Sequence, residues 1–142
     1  MDRLIAIFFA LLAGGSTAIE AYVNGRLGRH TTALVATFLS LVVGAVFILI
    51  NIIMTGEVRD LLTLKEISPK FFLGGIFGCL IIYFTIKAIP NLGTSNTLVM
   101  IVVSQVVISL FLEVKILGTE QMHLYKYIGV ILLGIGTFFV VK

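Results

Sequence analysis

Residues 32–54 read TALVATFLSLVVGAVFILINIIM, without one charged side chain. A helix needs about 20 mostly apolar residues to cross the hydrocarbon of a bilayer, so this stretch by itself predicts a membrane span. Four further runs share its character. Residues 4–23, LIAIFFALLAGGSTAIEAYV, precede it and contain one acid, Glu20. Residues 71–89 (FFLGGIFGCLIIYFTIKAI), 95–112 (SNTLVMIVVSQVVISLFL) and 126–141 (KYIGVILLGIGTFFVV) follow, the last of them short. The runs are continuously apolar rather than alternating, which selects helices over a closed barrel. The reading is an all-α integral membrane protein, with five transmembrane helices in a single membrane domain over residues 1–142.

Composition supports this and excludes the main alternatives. The 142 residues are 59% hydrophobic and 12% charged, with a mean hydropathy of +1.17. Ten cations and seven acids are too few to clothe so much apolar sequence in water. The single cysteine, Cys79, rules out a disulfide scaffold. The hydrophobicity rules out disorder. Two histidines and one cysteine, far apart, give no basis for a metal site, and no cofactor is expected. The net charge of +3 is scattered along the edges of apolar runs, where membrane proteins place it. No basic stripe suggests nucleic acid, so the expected surroundings are membrane lipid.

The connections are short. Asn24 to Thr31 holds two glycines, Arg26 and Arg29, and reads as the first link. Residues 55–70 form the longest and most charged link, with room for a short surface helix that lays Leu61, Leu62 and Leu64 in the interface. Pro69 suits the first turn of the third helix, where its missing N–H costs nothing. Pro90-Asn91-Leu92-Gly93 reads as a tight turn. Residues 113–125 join the last two helices. The N-terminal run has some features of a signal peptide, but it is read as the first span.

Five crossings put the termini on opposite sides. Arg3, Arg59, Lys65, Lys70, Lys115 and Lys126 then share one side, and Arg26, Arg29, Lys87 and Lys142 the other. This small excess favours a cytoplasmic N-terminus in the cell membrane. It is also compatible with insertion in both orientations.

Glu20 is the strongest pointer to function. An ionised carboxylate in hydrocarbon is costly, so intramembrane acids face cavities or partners and often relay protons. Ser16, Glu20 and Asn24 follow at i, i+4 and i+8 on one helical face. The alternative is an interfacial Glu20 paired with Arg26 or Arg29. Gln105, beside Ser104, either bonds across helices or lines a polar path. Thr97 and Ser109 are weaker, since a hydroxyl can bond back to its own helix. Tyr83 reads as a core aromatic, Lys87 as a snorkelling side chain, and Glu113 with Lys115 as a solvated helix end. Gly74, Gly75 and Gly78, and less regularly Gly129, Gly134 and Gly136, have the spacing of close helix packing or of a face where two copies meet. There is no phosphate loop, HExxH or GxSxG, and His30 and His123 fall in polar links. An enzyme is therefore not expected.

Taken in order, these features resemble the half-size YdcZ-like branch of the drug/metabolite transporter superfamily. The resemblance rests on Glu20 with Asn24-Gly25-Arg26-Leu27-Gly28, on Pro69 with Gly74-Gly75 and Gly78, on Leu92-Gly93-Thr94-Ser95 leading to Ser104-Gln105 and Glu113, and on Gly118 with Gly129 to Gly136. Glu20 departs from the amide expected there, and Glu113 from the more frequent Asp. The resemblance implies a small transporter subunit that is half of an inverted-repeat architecture. Two five-helix chains would pair antiparallel, as a homodimer or with a homologous subunit, around a site near the midplane. The expected activity is alternating-access export or proton-coupled exchange of a small cationic or amphipathic molecule. Its site would be built from Glu20, Asn24, Ser16 and Gln105, with competition between proton and cation at the first-helix glutamate, as in the smaller multidrug-resistance relatives. The rival expectation is a membrane subunit that does not transport but stabilises a partner.

Overall fold

The computed structural model describes residues 3–66, 68–117 and 124–142. Gly118, His123 and the side chains of Leu62 and Leu64 lie outside what it describes. Among the described residues, five helices are long and apolar enough to cross a membrane. They are α1 (Arg3–His30), α2 (Ala33–Thr55), α3 (Leu73–Leu92), α4 (Thr94–Leu112) and α5 (Leu124–Val141). A 3₁₀ segment, Glu57–Glu66, fills the long charged link after α2, and a second, Pro69–Phe72, leads into α3 with Pro69 at its start. The chain divides into two compact units, Met1–Pro90 and Asn91–Lys142.

The ends of the helices have local causes. Thr32 caps α2, its hydroxyl accepting from the Val35 N–H at 3.2 Å. Gly56 closes α2 in the left-handed region, at φ 77°, with its N–H turned back to the Ile52 and Ile53 carbonyls. α4 starts from Gly93, whose φ of 78° and ψ of 163° suit glycine alone. The Gly93 carbonyl accepts from both the N–H (3.2 Å) and the hydroxyl (2.7 Å) of Thr97.

Three boundaries differ from the sequence expectation. The first helix does not stop at residue 23. It continues through Asn24-Gly25-Arg26-Leu27-Gly28-Arg29 to His30, because the two glycines act as contact surface and not as breakers. A Cβ on Gly25 would meet Ile89 Cδ1 and Cγ2 of α3 at 2.9 Å, and one on Gly28 would overlap Ile86 Cγ2. Pro90 does not open a turn. It sits in the last turn of α3, which runs on to Leu92. There its missing N–H forfeits one hydrogen bond at a helix end that is about to stop. The break between α3 and α4 is Gly93 alone. Finally, residues Glu113–Leu117 are not link but a π-helical continuation of α4.

The first unit is pinned at one end. The last turns of α1 and α3 and the first turns of α2 meet there. Buried residues are Ala21, Asn24 and Gly25 on α1, Ala36 and Thr37 on α2, and Thr85, Ile86 and Ile89 on α3. Small residues on α1 and α2 let the backbones approach, which is how helices pack where lipid removes the hydrophobic drive. The α1–α2 hairpin has a clear register. Gly28 faces Ala36, with 4.0 Å between a Cβ on Gly28 and the Ala36 Cβ, and Asn24 faces Ser40. Both pairs are centred on Thr32. In the second unit α4 packs on α5.

Elsewhere the long helices present large apolar side chains outward, among them Phe8, Leu11, Val43, Phe47, Phe77, Ile108, Ile131 and Phe139. In water each would cost about 1.5–3 kcal/mol relative to burial. Facing lipid tails they cost nothing comparable, so this distribution fits a bilayer.

Candidate polar site in the first span

The extension of α1 changes the position of Glu20. With the helix running from Arg3 to His30, Glu20 stands well inside it and not one turn from its end. Ser16, Glu20 and Asn24 do share one face of this unbroken helix. The Asn24 amide joins two helices. Its Nδ2 donates to Glu20 Oε1 at 3.3 Å along α1, and to Ser40 Oγ of α2 at 2.9 Å. Asn24 is 6% exposed, so this fork of bonds is shielded. Glu20 itself is exposed at the surface of the chain.

Asn24 bridges the Glu20 carboxylate and Ser40. Both hydrogens of its amide are engaged, one of them holding the carboxylate against its own helix. The second Glu20 oxygen has no protein donor among the described residues. One carboxylate oxygen is thus tethered and the other open. The ion-pair alternative is not realised: among the described residues no arginine pairs with Glu20. Arg26 instead donates from Nη1 to the Tyr22 hydroxyl at 3.1 Å, with its guanidinium 5.8 Å from the Tyr22 ring centre.

The other expected site residues are placed separately. Ser16 is exposed and has no hydrogen-bond partner among the described residues. Gln105 is exposed on α4, in the second unit, likewise without a described partner. Ser104 bonds back to the Ile101 carbonyl, and Ser109 donates to Glu113 Oε1 at 3.4 Å. Tyr83 lies half-buried with the Lys87 ammonium 5.4 Å from its ring centre. A Cβ on Gly74, Gly75, Gly78, Gly129, Gly134 or Gly136 would meet nothing within 4 Å. The close approaches within the first unit therefore occur at Gly25 and Gly28, which sequence reading assigned to a link.

Sequence reading missed Ser40. A signal for it existed: in an antiparallel helical hairpin, residues equidistant from the turn lie level, and Asn24 and Ser40 are equidistant from Thr32.

Among the described residues, five apolar helices of spanning length define a multi-pass α-helical membrane protein. The family described as "Putative inner membrane exporter, YdcZ" matches residues 5–139, nearly the whole chain. The chain belongs to that family, a branch of the drug/metabolite transporter type, and is a membrane transporter. Comparison with curated proteins and with solved structures returned no match.

Proposed function

We propose that two copies of this chain, or this chain and a homologous subunit, pair to form an alternating-access exporter or proton-coupled exchanger of a small cationic or amphipathic molecule. The observation that carries this reading is the Glu20 carboxylate. It is exposed on the isolated chain, inside an apolar helix, with one oxygen tethered by Asn24 and the other open. A carboxylate so placed is costly against lipid and needs a wet chamber or a partner surface. A second subunit supplies both. The odd number of spans supports antiparallel pairing, the arrangement that inverted repeats reach within one chain. Ser16 and Gln105, without described partners, are the polar side chains left available to substrate. Gly74, Gly75, Gly78, Gly129 and Gly134, with open space above them, are the faces we assign to contact between subunits.

In this mechanism proton and substrate compete for Glu20. Protonation discharges the cation on one side of the membrane, and substrate displaces the proton on the other. The test uses purified protein in lipid nanodiscs and tetraphenylphosphonium as the probe cation. Binding should weaken as pH falls and release protons on titration, and in Glu20→Gln both effects should vanish. Pairing is read separately from C-terminal reporter fusions. Signal from both sides of the membrane supports antiparallel homodimers, and signal from one side calls for an oppositely inserted partner. pH-dependent binding that persists unchanged in Glu20→Gln removes this residue from the mechanism.

A further inference from the structure

The two ends of the first unit differ in charge. At the far end, the link between α2 and α3 carries acids and bases together: Glu57, Arg59, Asp60, Lys65, Glu66 and Lys70. At the pinned end, where α1 and α3 finish and α2 begins, residues 21–40 and 84–90 contain Arg26, Arg29 and Lys87 and no acid. Packing of Gly25 and Gly28 against Ile89 and Ile86 brings the two helix ends, and hence these cations, to one side of the unit. All three are exposed, and among the described residues no acid pairs with any of them.

Two of the cations rest on aromatic rings one helical turn earlier: Arg26 on Tyr22 at 5.8 Å and Lys87 on Tyr83 at 5.4 Å. Tyr22 and Tyr83 lie inside their helices, each one turn before its cation, and the long cationic side chains run over apolar surface to hold their charge there. The carbonyl ends of α1 and α3 add to the preference for cations at this end but do not neutralise them. Exposed positive charges without an acid partner, in the C-terminal parts of two apolar spans, call for an anion from the adjoining headgroup layer.

We propose that the pinned end of the first unit binds the phosphate of an anionic phospholipid headgroup through Arg26, Arg29 and Lys87. The guanidinium of Arg26 gives one N–H to Tyr22 and keeps others for phosphate oxygens. Arg29, in the last turn of α1, supplies a second fork. Lys87 contributes a point charge from α3.

The test is native mass spectrometry of the full chain released from mixed micelles of phosphatidylglycerol and phosphatidylcholine. The wild type should retain phosphatidylglycerol preferentially. Neutralising one cation should lower that preference about fivefold, and Arg26→Gln/Arg29→Gln/Lys87→Gln should abolish it. Arg26→Lys/Arg29→Lys, which keeps the charge but not the forks, should lower it less than neutralisation does, and Arg59→Gln/Lys70→Gln at the other end should leave it unchanged. If the triple variant does not fold, the three single variants carry the test. Undiminished preference in the neutralised variants, or equal loss in the Arg59/Lys70 pair, overturns the proposal. So does displacement of the lipid by millimolar inorganic phosphate, which would point to a soluble anion instead.

Discussion

Gly28 of α1 faces Ile86 of α3 with no room for a methyl group between them. The obstacle is the Cγ2 branch of Ile86, whose χ1 is stiff in a helix and cannot rotate away cheaply. Gly28→Ala should therefore destabilise the protein by about 1–3 kcal/mol, the usual range for overpacking. Ile86→Leu removes the branch at Cβ and should restore most of the loss in the double variant. Gly14→Ala is the control, because nothing lies within 4 Å of that position and alanine is the better helix former. Unfolding in mixed micelles with rising dodecyl sulfate measures all three, and a neutral Gly28→Ala would refute this packing.

The Asn24–Ser40 bond can be weighed by a double-mutant cycle. Bonds of this kind between membrane helices couple by about 0.6 kcal/mol on average. Ser40→Ala and Asn24→Ala should each destabilise, and the pair should fall short of additivity by about that amount. Full additivity would mean that the two side chains do not meet. Ser40→Ala should in addition alter probe-cation binding less than Asn24→Ala, since only Asn24 touches the Glu20 carboxylate.

Gly56 and Gly93 should respond differently to asparagine. Both have positive φ and open space for a side chain. Gly56, with ψ of 12°, is in the left-handed helical region that asparagine tolerates. Gly93, with ψ of 163°, is in a region nearly confined to glycine. Alanine should cost about 1–2 kcal/mol at Gly56 and about 1–3 kcal/mol at Gly93. Asparagine should recover part of the loss at Gly56 and none at Gly93. The same micellar unfolding curves decide this, and equal recovery at both sites would contradict the backbone assignment.

Charge-preserving substitution separates the two functions assigned to α1. Glu20→Asp keeps the acid but shortens it by one methylene, drawing it away from the Asn24 amide. Tetraphenylphosphonium binding should stay pH-dependent and weaken, a phenotype distinct from the loss expected of Glu20→Gln. Isothermal titration across pH distinguishes them. Loss of both binding and its pH dependence in Glu20→Asp would show that an acid at this position is not sufficient without its placement against Asn24.

Much of the fold was legible because hydropathy reports the surrounding lipid directly. The span at 32–54 matches α2, Ala33–Thr55, to within a residue, and five spans were counted where five helices stand. What hydropathy does not report is contact. Gly25 and Gly28 were read as a loop because glycine breaks helices in water, whereas here they are the surface on which Ile86 and Ile89 sit. Pro90-Asn91-Leu92-Gly93 has the composition of a tight turn, yet the helix continues to Leu92. The spacing of Glu20 and Asn24 was visible as a local helical relationship. Ser40 was not, because its partner is set by the register of a hairpin and not by its own neighbours in sequence.

The pinned end of the first unit has a mechanical consequence. Its buried residues fall within 21–37 and 85–89 and are absent from the remaining lengths of α1, α2 and α3. Three rods fastened at one tip can splay at the other with little loss of packing, so a small tilt at Gly28 becomes a wide displacement at Phe8 or Phe77. Such a lever needs no bending of any helix to carry the free ends of α1 and α3 apart while Gly28 and Ile86 stay in contact.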